Sequence, residues 1–394
     1  MLLFFYLMAF IPIIIGLVLY IKNKNITWQE WLIGSGVAII TAVIFQYMAI
    51  AGMTADVETW SGEITSVSRY GAWTERYRQS HTRTVGSGKN RRTETYYTTE
   101  YDYHPEHWKV GRSFGNGHED TASIDESTYR EIFSNFGSEI NETDTQGSHH
   151  FGGTKSSGDN KIYITYNNTG YEYPVTKLES FENRVKAAPS LFSFPKVPTN
   201  VTVFPWPKNE DWMSSGRVLG TAVNRIPIRS LDLMNMRIGS RKKVNVIIVG
   251  FDQSAPSDYG RWQEAAWVGG KKNDLVLCFK ESGGRLADSS YVFGWTESEY
   301  CKKNLQTLLI THPINKDIIP LIEKEIVTSY KVKDWSKFDY ITVEPPKWSY
   351  YVYILILCGT QTGLYIFFHK NEYTQTGTEY NYRNYGKYSN MRKY

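Results

Sequence analysis

The chain has 394 residues, 41% hydrophobic and 21% charged, with a net charge of +4. That length exceeds one compact domain, and the composition excludes a disordered chain or a coiled coil. Three cysteines are too few for a disulfide framework or a four-cysteine zinc site, and so small a charge is no nucleic-acid signature.

Residues 2–21 and 31–53 carry no charged side chain. At ~1.5 Å per residue, either run spans a hydrocarbon layer of roughly 30 Å as a helix. The first lacks the basic start and small-residue cleavage site of a signal peptide. Residues 1–53 therefore read as a transmembrane helical hairpin.

Residues 54–190 read as a β-rich domain. Segments 57–67 and 93–103 alternate with strand period, and 86–90 is a turn. Ser123 and Glu126 have capping-box spacing ahead of a short helix ending near residue 136. Residues 141–160 read as a polar loop, and 161–166 and 171–177 as strands. Prolines 189, 195, 198, 205 and 207 mark a connector over 191–207.

From 208 to 347 strands (244–250, 274–279, 291–295) alternate with helices (228–238, 258–268, 298–309, 318–329), which implies a layered α/β domain. The near-continuous apolar run 244–250 suits a strand covered on both faces. Residues 348–369 read as a third uncharged span with interfacial aromatics at its ends, or else as a buried amphipathic strand pair. Gly359 and Gly363 stand four apart in it, the small-xxx-small spacing of helix–helix packing. The basic, Tyr-rich tail 370–394 lacks a packing period and reads as disordered. The fold class is thus an α+β multidomain membrane protein.

Charge sets an expected orientation. The loop between the first two spans is net +1, the tail is net +3, and residues 54–347 are neutral. Basic short flanks stay cytoplasmic, which places residues 54–347 in the periplasm and the C-terminus in the cytoplasm. A neutral body argues against a nucleic-acid partner. The expected partners are the lipid bilayer and a membrane or envelope protein.

Residues 242–249, then Trp262-Gln263-Glu264-Ala265-Ala266-Trp267, then 269–277 resemble the TPM domain. The whole layout is similar to membrane proteins of tailed phages and their bacterial hosts. It shares with them the span hairpin, a strand here read as Trp60-Ser61-Gly62-Glu63-Ile64-Thr65, and Asn183-Arg184-Val185. The resemblance implies an extracytoplasmic, membrane-tethered α/β sandwich, in some members metal-binding or phosphatase-like. It makes Asp252 and Asp274 the nearest acidic ligands for a divalent metal.

Lys271 and Lys272, on a glycine turn, offer cations and backbone N–H groups to an anion, or are simply a solvated turn. His104-Pro105-Glu106-His107 is not the helical His-Glu-x-x-His zinc arrangement, because Pro105 breaks the helix. His104 and His107 are either half of a metal site completed by His81, His118, His149 or His150, or exposed loop residues. Cys278 and Cys301 either pair or lie unpaired in the core. No nucleophile elbow, phosphate loop or dinucleotide fingerprint appears, so no catalytic residue is assigned and no cofactor is required. The leading expectation is a non-catalytic, membrane-anchored extracytoplasmic interaction module in a phage-encoded setting. The alternatives are a metal-dependent phosphatase-like enzyme of the TPM type and a scaffold subunit of an envelope complex.

Overall fold

A computed structural model describes residues 3–23, 27–86, 91–115, 117–137, 139–192, 194–207 and 216–371. The tail read above as disordered lies almost wholly outside these residues. The chain forms two compact units interleaved in sequence. One comprises Met1–Asp56, Phe181–Ser193 and Trp335–Tyr394; the other comprises Val57–Ser180 and Phe194–Asp334.

In the first unit, α1 (Leu3–Val18), α2 (Trp28–Thr54) and α9 (Lys347–Asn371) contain three segments long and apolar enough to cross a membrane. A capping box starts α2: the Thr27 hydroxyl accepts the Glu30 N–H, and the Glu30 carboxylate accepts the Thr27 N–H at 2.7 Å. The buried stripe of α2 includes Gly34, Ala38 and Ala42, every fourth residue, which admits close helix approach. Ala38 and Ala42 pack with Phe5, Ala9, Tyr353 and Leu357.

Side-chain donors then reach across to backbone carbonyls. Trp31 donates to Ile13 (3.1 Å), Tyr353 to Phe5 (2.8 Å), Gln361 to Gly34 (3.2 Å) and Tyr365 to Pro12 (3.2 Å). Gly16 lets Tyr365 in, since a Cβ there would lie 2.5 Å from its hydroxyl. A Cβ added at Gly359 or Gly363 would meet nothing within 4 Å among the described residues. Within this chain, therefore, the small-residue packing runs along α2 and not along the third span. The unit also holds α4 (Arg184–Ala187), whose cap Asn183 accepts the Lys186 N–H and donates to Asp56 at 2.7 Å.

The described residues of the second unit form three sheets. The first has the order β5 (Glu119–Ile124), β4 (His107–Ser113), β1 (Ala55–Tyr70), β8 (Lys161–Tyr166), β6 (Asn141–Thr145), with β9 (Pro174–Glu182) also paired to β1. Helix α3 (Glu126–Phe136) covers it, placing Ile132 and Phe136 against Ile64, Val67 and Val110. The cap of α3 is Asp125, which accepts the Thr128 N–H at 2.8 Å. Ser123 lies inside β5, so the expected capping box does not form. The second sheet is β3 (Arg92–His104), β2 (Trp73–Val85), β7 (Thr154–Gly158). Strands β6 and β7 thus occupy the stretch read as a polar loop. Both are backbone-paired polar strands without an apolar face to announce them.

The third sheet runs β10 (Val218–Gly220), β11 (Asn245–Phe251), β12 (Asp274–Glu281), β13 (Ala287–Gly294); its first three strands are parallel and the last antiparallel. Strand β11 is buried along its whole length, which accounts for its unbroken apolar run. Val246 and Ile248 face a core built from α5 (Ile228–Lys242), α7 (Glu299–Thr311) and α8 (Ile318–Ser329). Ile247 and Val249 face Tyr259 of α6 (Tyr259–Ala266) on the other side. Cys301 sits in the first of these cores and Cys278 in the second, so both are free and the alternative of a disulfide is excluded.

Candidate functional site

The two acids expected to share a metal do not converge. Asn245 faces Asp274 and Phe251 faces Lys280, so Asp252 follows one end of the parallel strands while Asp274 starts the other. Seven residues of strand separate them by roughly 20 Å. Asp252 is exposed in a turn where Ser254 donates its N–H (2.7 Å) and hydroxyl (2.5 Å) to the carboxylate. The Ser254 hydrogen bonds hold its carboxyl below the ordinary range.

Asp274 is fully buried. It accepts from Asn245 (2.8 Å), from the Trp206 indole (2.9 Å) and from the Lys271 N–H (2.9 Å). Burial raises its carboxyl, and these hydrogen bonds act against the rise. Gly269 and Gly270, both at positive φ, bend the chain so that the turn meets an anion, and that anion is the protein's own carboxylate. The Lys271 ammonium lies over the Trp206 ring at 5.2 Å, and Lys272 pairs with Glu58 at 3.4 Å. The turn is therefore an internal cap, and neither lysine is held open for an external anion.

Near Asp274 lies a charge the sequence reading missed. Arg217, immediately before β10, is 1% exposed, and its three guanidinium nitrogens have no hydrogen-bond partner among the described residues. Asp232 on α5 is 4.0 Å away. Burial pulls the Arg217 pKa down to about 10, against the fields of Asp232 and Asp274. Tyr330, whose hydroxyl is likewise unpartnered, is pushed upward by burial and by Asp274.

His104 and His107 also separate, although the His104 ring meets that of His149 at 4.2 Å. His104 is buried at the base of the β2–β3 pair, whereas His107 stacks on Tyr70 at 4.4 Å and His118 packs edge-on to Trp60 at 4.9 Å. Among the described residues no group of three or more His, Cys, Asp or Glu side chains could hold a metal. His104 instead serves Glu75, which is fully buried and accepts from His104 Nε2 (3.1 Å), the N–H groups of His149 and His150 (3.1 Å each) and the Ser148 hydroxyl. Burial pushes the Glu75 carboxyl up, but the Ser148, backbone and His104 hydrogen bonds prevail and lower it to about 2. One carboxylate thereby ties the 148–150 segment to strand β2. His150 then stacks on Tyr77 at 3.6 Å and meets Asp102 at 3.2 Å.

Beyond that tie, β2 and β3 continue as a two-stranded ribbon in unbroken register from Trp73↔His104 to Val85↔Arg92. Facing partners share a side of the sheet. Glu75↔Asp102, Tyr77↔Glu100 and Arg83↔Glu94 put all four carboxylates of the two strands on one face. The other face carries Arg76↔Tyr101, Arg78↔Thr99 and Ser80↔Tyr97, then threonines only towards the tip. Tyr97, Tyr101 and Tyr103 on this face are 55, 63 and 65% exposed.

A cleft of about 330 Å³ lies between β4 and α5, but its Arg237 is neutralised by Glu323 at 2.7 Å. The fold and these sites define the class only broadly: a mixed α+β protein with three candidate membrane spans. No protein-family model, curated protein or solved structure matches the chain.

Proposed function

We propose that the protein is a membrane-anchored, non-catalytic interaction module whose residues 54–347 lie on the outer side of the membrane. A TPM-like α/β layer would form part of that body, in a phage-encoded or bacterial setting. The observation that carries this reading is the three-span bundle, tied internally by four side-chain-to-carbonyl hydrogen bonds. Basic flanks around the spans support the outward orientation. The phosphatase-like alternative needs Asp252 and Asp274 at one metal, and their separation along the strands weighs against it.

The scaffold reading draws support from Gly359 and Gly363, which the described residues leave uncovered and a partner helix could approach closely. Protease added to intact spheroplasts tests the orientation. Digestion of the body with the C-terminal peptide spared is expected; a protected body with a clipped tail overturns the reading. Crosslinking of Gly363→Leu in native membranes tests the scaffold role, which requires assembly to fall.

A further inference from the structure

The two faces of the β2–β3 ribbon differ in a way its fold does not require. A solvated ribbon is served equally well by mixed charge on both sides. Here the face bearing Glu75, Glu94, Glu100 and Asp102 is partly covered or ion-paired: the 148–150 segment is hydrogen-bonded to Glu75, and Arg83 and Arg92 both bind Glu94 (3.3 and 2.7 Å). The opposite face has no carboxylate over a run of roughly 33 Å, from Thr74 to Thr84. All of its residues from Arg76 to the tip are exposed. Strand β7 extends it with Thr154 beside Arg76 and Ser157 beside Thr74, again hydroxyls and no acid.

Among the described residues Arg76 and Arg78 form no ion pair. The Arg78 guanidinium instead rests over the Tyr97 ring at 4.3 Å, which fixes it without neutralising it. Exposed tyrosines flank both arginines.

We propose that this carboxylate-free face is a docking surface for an anionic glycan chain. The assignment follows from the chemistry of the face. Guanidinium forks recognise carboxylate or phosphate bidentately, tyrosine rings offer flat apolar platforms with a polar tip, and the Ser/Thr ladder supplies groups that both donate and accept, as sugar hydroxyls do. Two arginines on a face this long are sparse for a nucleic-acid track, which depends on dense phosphate neutralisation. A peptide would add to a strand edge and read backbone, leaving the tyrosine and arginine face unused. The proposal adds a partner to the outer-side module described above, but its assay uses purified protein, so it stands or falls independently of membrane sidedness.

The experiment is equilibrium binding of the full chain in nanodiscs to an oligogalacturonate, with a malto-oligosaccharide of equal length and an oligo-dT as comparators. Oligogalacturonate should bind, with the neutral glucan at least tenfold weaker. Arg76→Gln/Arg78→Gln and Tyr97→Ala/Tyr101→Ala should each lose at least tenfold, with an unchanged circular dichroism spectrum. Arg83→Gln, on the opposite face, should stay within twofold. Absence of oligogalacturonate binding, tighter binding of oligo-dT, or an Arg83→Gln loss equal to that of Arg78→Gln would each overturn the assignment.

Discussion

Two buried charges in the second unit are handled in opposite ways. At the base of the ribbon, Glu75 is enclosed and accepts from four donors, two of them backbone N–H groups fixed by the chain path. At the start of the parallel strands, Arg217 is enclosed and none of its nitrogens has a hydrogen-bond partner among the described residues; only a carboxylate at 4.0 Å and the field of Asp274 compensate it. Burial penalises both charges. Hydrogen bonds from preset donors overcome the penalty for the carboxylate, whereas Coulomb attraction alone leaves it largely standing for the guanidinium. The ribbon base is thus a tie, and the Arg217 region a local cost that the surrounding core carries.

The largest effect is expected at Glu75. Glu75→Ala leaves the His149 and His150 N–H groups without their acceptor and Ser148 with only the His150 carbonyl, at a cost of about 3 kcal/mol. Amide exchange over residues 146–153 should accelerate strongly while β11 and β12 stay protected; unchanged exchange there would remove the tie from this account. Because the folded-state pKa lies below the ordinary 4.5, the tie is complete above pH 4.5 and is lost as pH falls through about 2. Acid should therefore open the 148–150 segment first.

Replacing the enclosed pair as a whole, Arg217→Met/Asp232→Leu, should act in the other direction. The change removes a cation that makes no hydrogen bond among the described residues together with the carboxylate that would otherwise stay buried beside it, and so lifts both desolvation costs. Stability should rise by about 1 kcal/mol in chemical denaturation of the detergent-solubilised chain. A loss of similar size would show that attraction to Asp232 and Asp274 outweighs desolvation. Asp274 gives a smaller, pH-dependent readout. Its carboxyl is raised by burial, so its contribution is fully present only below the ordinary value of 3.8 and fades as pH rises through the folded value. As pH falls, exchange at the start of β12 should therefore slow before the further drop towards about 2 loosens the ribbon base.

Much of the fold was legible because its signals are local and long. The three uncharged runs, the apolar β11 and the amphipathic α8 announce themselves by period alone. The ties were not legible, because their partners lie far apart in sequence: Ser148 is 73 residues from Glu75, and Arg184 is 155 from the Asp339 carbonyl to which it donates. Small-residue packing was read on the third span, at Gly359 and Gly363, whereas the structure places it on α2 at Gly34, Ala38 and Ala42. The rotation of α9 decides it, and Tyr353, Gln361 and Tyr365 set that rotation by turning one side of the helix inward. Asp125 displaced Ser123 as cap because β5 runs one residue past Ser123 and the helix begins only at Glu126, which leaves Asp125 as the residue next to the first turn.

Gln361 tests whether the contrast between Glu75 and Arg217 extends to a polar group among the spans. Its Nε2 donates to Gly34 at 3.2 Å, while Oε1 is buried without a hydrogen-bond partner among the described residues. The side chain is thus half tie and half cost. Interhelical hydrogen bonds of this kind average roughly 0.6 kcal/mol. Gln361→Leu gives up one such bond but also removes an unpaired oxygen from an apolar setting, so the net change should fall below about 0.6 kcal/mol. Steric-trap or denaturant unfolding in micelles should find the bundle nearly unaffected. Gly34→Leu, which thrusts a branched side chain at Gln361 and Leu364, should disrupt it. If Gln361→Leu proved as damaging as Gly34→Leu, the amide would be a full tie like Glu75, and satisfaction of both its ends would have to come from outside the three helices.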